Sequence, residues 1–84
     1  MRLDKFLKVS RIIKRRTVAN EAADVGRVSI NGKVARASAQ VKPGDVIEIV
    51  FGNHTARYEV LDVKDVSTRA GAGELYREIK EEQV

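Results

Sequence analysis

Residues 27–36 read RVSINGKVAR, and this stretch decides the fold. Val28 and Ile30 alternate with polar neighbours, as a half-buried strand requires. Asn31-Gly32 supplies the two positive-φ positions of a type I′ turn, and Val34 begins a return strand. A hairpin here predicts a small antiparallel sheet. Just upstream, Gly26 is a natural C′ residue, so a helix stops where the hairpin starts. The spacing predicts that helix over Val18 to Val25, with Val18, Ala22 and Val25 inward and Thr17 as N-cap.

Further upstream, Leu3, Phe6 and Leu7 fall at i, i+3 and i+4 and predict a first helix ending near Ser10 and Arg11. Asp4 lies in its first turn, where a carboxylate suits the positive end of the helix dipole. Downstream, VKPGD places Pro43 and Gly44 for a type II turn. VIEIVF and TARYEVLDV read as strands around the turn GNH. STRAGAG, residues 67–73, predicts a flexible loop. ELYREIKEE, residues 74–82, predicts a short acidic helix anchored by Leu75 and Ile79. The expected fold class is α+β. Two N-terminal helices pack on a small, mainly antiparallel twisted sheet, with a short C-terminal helix, in one domain over residues 1–84.

Composition narrows the function. Hydrophobic residues make up 43% of the 84, enough for one modest core. There is no cysteine, which removes disulfides and thiolate metal sites. No apolar run approaches the roughly 18 residues of a membrane span, and the charged start MRLDKFLKVSR lacks a signal-peptide core. A soluble intracellular protein is expected. Residues 1–36 hold ten Lys and Arg against three Asp and Glu, a balance of +7. Residues 37–84 hold six against nine, a balance of −3. So uneven a field suits a polyanion, and nucleic acid is the prime candidate, with an anionic membrane surface as rival.

Catalysis finds little support. His54 is the only histidine and sits in a turn. Ser10, Ser29, Ser38 and Ser67 have no histidine in a triad pattern. Asp62 and Asp65 read as a solvated strand end, and GAG at 71–73 lacks the rest of a phosphate loop. No enzyme activity, metal or cofactor is expected. By contrast, RIIKRRT, Arg11 to Thr17, packs Arg11, Lys14, Arg15 and Arg16 just ahead of a predicted helix start. A helix N-terminus with unpaired N–H groups receives phosphate, and arginine forks onto its oxygens. Arg27, Asn31 and Lys33 extend this surface, and Arg2 either pairs with Asp4 or contacts phosphate. No aromatic lies in the cluster, which argues against base stacking on single strands and for folded RNA. Asn20, Glu21 and Asp24 on the second helix argue against DNA major-groove readout.

Residues 2–49 resemble the small RNA-binding domain named after the fourth protein of the small ribosomal subunit. The resemblance is carried by RLDKFL, the Arg-Thr step into the second helix, GRVSINGK and VKPGD, in that order. It implies an RNA surface built from both helices and the hairpin, using Arg2, Arg11, Lys14, Arg15, Arg16, Thr17, Arg27, Asn31 and Lys33. Residues 50–84 would add a strand and the last helix. Among free-standing members, the compact length, KRRT and the acidic EIKEEQV end resemble the RqcP-like family of ribosome-associated quality control. That resemblance implies binding to the obstructed large ribosomal subunit, with contacts to rRNA and peptidyl-site tRNA. It also implies help to a partner protein that adds C-terminal alanine tails to stalled chains. A cytoplasmic monomer is expected. The alternatives are the related heat-shock protein fifteen family, which binds dissociated large subunits, and a protein adaptor acting through the acidic last helix.

Overall fold

The hairpin forms as its sequence predicts. A computed structural model describes residues 1–65 and 69–79. Strand β1 (Val28–Ile30) pairs antiparallel with β2 (Lys33–Val34), Ser29 opposite Val34 and Ile30 opposite Lys33. Asn31 (φ 52°) and Gly32 (φ 84°) take the left-handed conformations of a type I′ turn. The turn is clamped from the side. The Asn31 N–H donates to the Val46 carbonyl at 2.8 Å, and Asn31 Oδ1 accepts from the Val46 N–H at 2.9 Å. Asn31 Nδ2 donates to buried Asp45 at 3.0 Å, whose other oxygen accepts the Lys42 N–H at 3.0 Å. That last bond closes the turn over Pro43 and Gly44 (φ 92°), the type II geometry expected there.

Beyond it, β3 (Val46–Phe51) and β4 (His54–Val60) form a longer hairpin, and β5 (Tyr76–Ile79) pairs with β4. The sheet order is β2-β1-β3-β4-β5, with every neighbouring pair antiparallel. Helices α1 (Leu3–Val9) and α2 (Arg16–Asp24) complete the core. Leu3, Phe6 and Leu7 of α1 meet Val28, Ile47, Ile49 and Val60 of the sheet, all essentially inaccessible to solvent. Burying each large side chain contributes about 1.5–3 kcal/mol.

Helix α1 has no side-chain N-cap. Instead the Leu3 N–H donates to the Ala39 carbonyl at 2.8 Å and the Asp4 N–H to the Ala37 carbonyl at 3.1 Å. The segment after the hairpin thus satisfies donors a capping side chain would otherwise take, and it fixes α1 to the sheet. Helix α2 ends in a Schellman arrangement: Gly26 (φ 86°) donates to the Ala23 carbonyl and Arg27 to the Ala22 carbonyl, both at 3.0 Å.

Four expectations need correction. Helix α2 begins at Arg16, with extended Arg15 (φ −119°, ψ 131°) as N-cap and no side-chain cap bond. Thr17 lies inside the first turn, because the exposed start of the helix can hydrogen-bond to water and needs no hydroxyl cap. The inward face of α2 is Ala19 and Ala23, while Val18 and Val25 are 48% and 68% exposed. Phe6 and Leu7 already fill the space beneath, so small residues let α2 come close. The segment expected as an acidic helix at 74–82 is instead strand β5 over 76–79; residues 80–82 lie outside the described residues. β4 offers an edge to pair, Tyr76 meets Tyr58 edge-on at 5.4 Å, and buried Leu75 anchors the entry as expected. Within the expected loop 67–73, Arg69–Gly73 forms helix α3, so the short C-terminal helix stands earlier in the chain; 67 and 68 lie outside the described residues.

Helix α1 ends at Val9 with Ser10 as C-cap, and Arg11 (φ 62°) occupies the C′ position that glycine usually fills. A side chain there costs about 1–2 kcal/mol, while glycine adds roughly 0.4–1 kcal/mol of unfolded-state entropy. The strain is the larger effect. Arg11→Gly is therefore expected to raise the melting temperature by roughly 2–6 °C, measured by circular dichroism.

Candidate nucleic-acid interface

The site is organised around Asp4, 2% exposed at the start of α1. Its Oδ1 accepts from the Lys5 N–H at 2.8 Å, from Arg2 Nε at 3.2 Å and from Arg16 Nη2 at 3.4 Å. Its Oδ2 accepts from Asn20 Nδ2 at 3.1 Å and Arg2 Nη2 at 3.2 Å. One carboxylate therefore joins the N-terminus, α1 and α2. Burial favours its neutral form, but the bonds from Asn20, Arg16, Arg2 and Lys5 outweigh that and hold its pKa below the ordinary 3.8.

All nine predicted RNA-binding residues are exposed. Arg2 and Arg16 meet at Asp4 with their side chains 45% and 47% exposed, so each is tethered yet still presents donors. Lys14 and Arg15 immediately precede α2, and Arg11 occupies the turn that leaves α1. Thr17 joins Asp4, Arg16, Asn20 and Glu21 in lining an open depression of about 340 Å³. These residues form one group at the start of α2. Arg27 lies past the C-terminus of α2, and Lys33 in the hairpin that follows it. Asn31 stands apart: both ends of its side-chain amide are engaged in the clamp with Asp45 and Val46.

The expected display of polar residues along α2 also differs. Asn20 donates to Asp4, and Asp24 accepts the Ala37 N–H at 3.2 Å. Both turn back into the fold, because the N-terminal and post-hairpin segments run beside α2 and need partners. An exposed cation passed over in the sequence, Arg36, immediately precedes that Ala37 contact. The signal was its position as the last residue of RVSINGKVAR, one of three cations around the hairpin.

Charge is partitioned by face. Pairing register sets Ser29, Glu48, Arg57, Glu59 and Arg77 on the sheet face opposite Val28, Ile47 and Ile49. On that outer face Arg57 pairs with Glu48 at 3.0 Å, and Arg77 with Glu59 across β4 and β5. Such exposed pairs add little stability, but they cancel the local field. Lys14, Arg15, Arg27, Lys33 and Arg36 have no ion-pair partner among the described residues. The net positive field thus issues from the helices and hairpin. The aromatics are elsewhere: Phe6 is buried, Phe51 stacks on His54 at 5.7 Å, and Tyr58 meets Tyr76. Burial, Glu78 and Tyr76 raise the Tyr58 pKa. The surface offers phosphate and hydrogen-bond contacts rather than stacking platforms. No helix among the described residues is long and apolar enough to cross a membrane.

The S4 domain family model matches residues 1–47. A Bacillus subtilis protein described as an RQC P-site tRNA stabilizing factor is 52% identical over 84 residues, covering 100% of this chain and 98% of the relative. A Streptococcus pneumoniae protein of the same description is 51% identical, covering 100% and 96%. Among solved structures, heat shock protein 15 of Vibrio cholerae, a trimer, superposes with a TM-score of 0.85 at 31% identity. That match covers 94% of this chain and 81% of the Vibrio protein.

A depressed carboxylate pKa sets a pH dependence. The Asp4 contribution is present above the unfolded value of 3.8 and is lost as pH falls through the lower folded value. Asp4→Asn is expected to cost about 1–3 kcal/mol at neutral pH. Urea unfolding from pH 2 to 6 should show that the variant lacks this component of acid destabilisation.

Proposed function

Because this chain belongs to the S4 domain family, we propose that it is a non-enzymatic RNA-binding factor of ribosome-associated quality control. It binds the obstructed large ribosomal subunit, contacts rRNA and the tRNA in the peptidyl site, and assists C-terminal alanine tailing by a partner protein on the same particle. It works in the cytoplasm as a monomer, without metal or cofactor. The observation that carries this is the partition of charge: Lys14, Arg15, Arg27, Lys33 and Arg36 have no ion-pair partner among the described residues, while the outer sheet face is neutralised by its own ion pairs.

The mechanism is bridging. Arg2, Arg11, Lys14, Arg15, Arg16 and Thr17 form one contact group at the start of α2, and Arg27 and Lys33 the second around the hairpin, whose turn Asn31 holds through its bonds to Asp45 and Val46. Two groups on one fold can hold two phosphate backbones in a fixed relation. Phosphate contacts position the protein without reading sequence. Heat-shock protein fifteen is the second reading, favoured by the likeness to the Vibrio structure. Particles isolated with tagged protein separate the two: an alanine-tailing partner in them supports the first.

Arg16→Ala tests the surface. It should weaken co-sedimentation with large subunits several-fold and reduce the salt slope of binding by about one charge. The circular dichroism spectrum should remain that of a folded protein. Undiminished co-sedimentation at raised salt would count against this surface.

A further inference from the structure

A phosphate-binding surface gains from every cation, yet this one buries a carboxylate among its arginines. Asp4 subtracts a charge from the face it sits under. Its ligands come from separate places in the chain: Arg2 ahead of α1, Arg16 at the first position of α2, and Asn20 one turn further on. A guanidinium has five N–H groups, and Asp4 engages only one or two on each arginine. The remaining donors, on side chains close to half exposed, stay available.

We infer that Asp4 is the positioning residue that makes this surface selective for folded RNA over unstructured polyanion. The inference rests on the RNA-binding function proposed above. Free arginines are long and flexible, and ordering them on a ligand costs conformational entropy. Arginines already held at a fixed mutual spacing do not incur that cost. Their spacing suits phosphates fixed by a tertiary structure and gives no advantage on a flexible strand, which adapts to either state. The lost unit of charge weakens counterion release equally for any polyanion. Asp4 therefore raises affinity for rigid targets and lowers it for flexible ones. Asn20 carries no charge and acts by holding Asp4 Oδ2.

The test compares two probes against the full-length chain: large ribosomal subunits carrying peptidyl-site tRNA, and polyuridylate. Asp4→Asn should weaken subunit binding about ten-fold while polyuridylate binding stays level or tightens. Asn20→Ala leaves every charge in place. It should weaken subunit binding several-fold with polyuridylate unchanged, and it serves if Asp4→Asn does not fold. A purely structural Asp4 would lower both affinities together, and an unchanged ratio in both folded variants overturns the inference. If the unaltered chain binds neither probe, the RNA-binding function fails instead.

Discussion

The buried Asp4 carboxylate is the constraint on which the functional face depends. It binds the segment before α1 through Arg2 and binds α2 through Arg16 and Asn20. Between the helices the apolar contact on the α2 side is made by Ala19 and Ala23, which bury little area. A charge-assisted network above a shallow alanine contact fixes what the alanines alone would hold loosely. The backbone adds to it: Ala37 accepts from Asp4 and donates to Asp24, so one residue after the hairpin touches the start of α1 and the end of α2.

That frame explains why an 84-residue chain of net charge +4 has direction in its field. Cations on the outer sheet face stand opposite acids in adjacent strands, so β3, β4 and β5 neutralise themselves. Among the described residues, Lys14 and Arg15 ahead of α2 and Arg27, Lys33 and Arg36 around the hairpin have no such neighbours. Arg11 keeps a side chain where glycine would be less strained.

Much of this was legible in the sequence, for physical reasons. The β1–β2 turn and the turn at Pro43-Gly44 depend on residues with restricted or unusual φ, so their signals are local and came through. The face of α1 was legible because Leu3, Phe6 and Leu7 are large and regularly spaced. The face of α2 was not. In VANEAADV the valines look like the anchors, but the crowding that demands alanine comes from α1 and is invisible locally. The end of the chain misled for a similar reason: YREI has no strong local preference, and the open edge of β4 decides its state. At the site, the cations were legible as charge. Their organisation was not, because the Asp4–Asn20 contact spans 16 positions. Asn31 was marked as a turn residue with spare hydrogen bonds, and only tertiary structure shows Asp45 and Val46 taking them.

The most direct measurement is a structure of this chain on a large ribosomal subunit carrying peptidyl-site tRNA. The account predicts the α1–α2–hairpin face against RNA, with Arg16 and Arg15 at one backbone and Lys33 and Arg27 at another. A particle in which the outer sheet face, with Glu48, Arg57, Glu59 and Arg77, makes the RNA contacts would contradict it.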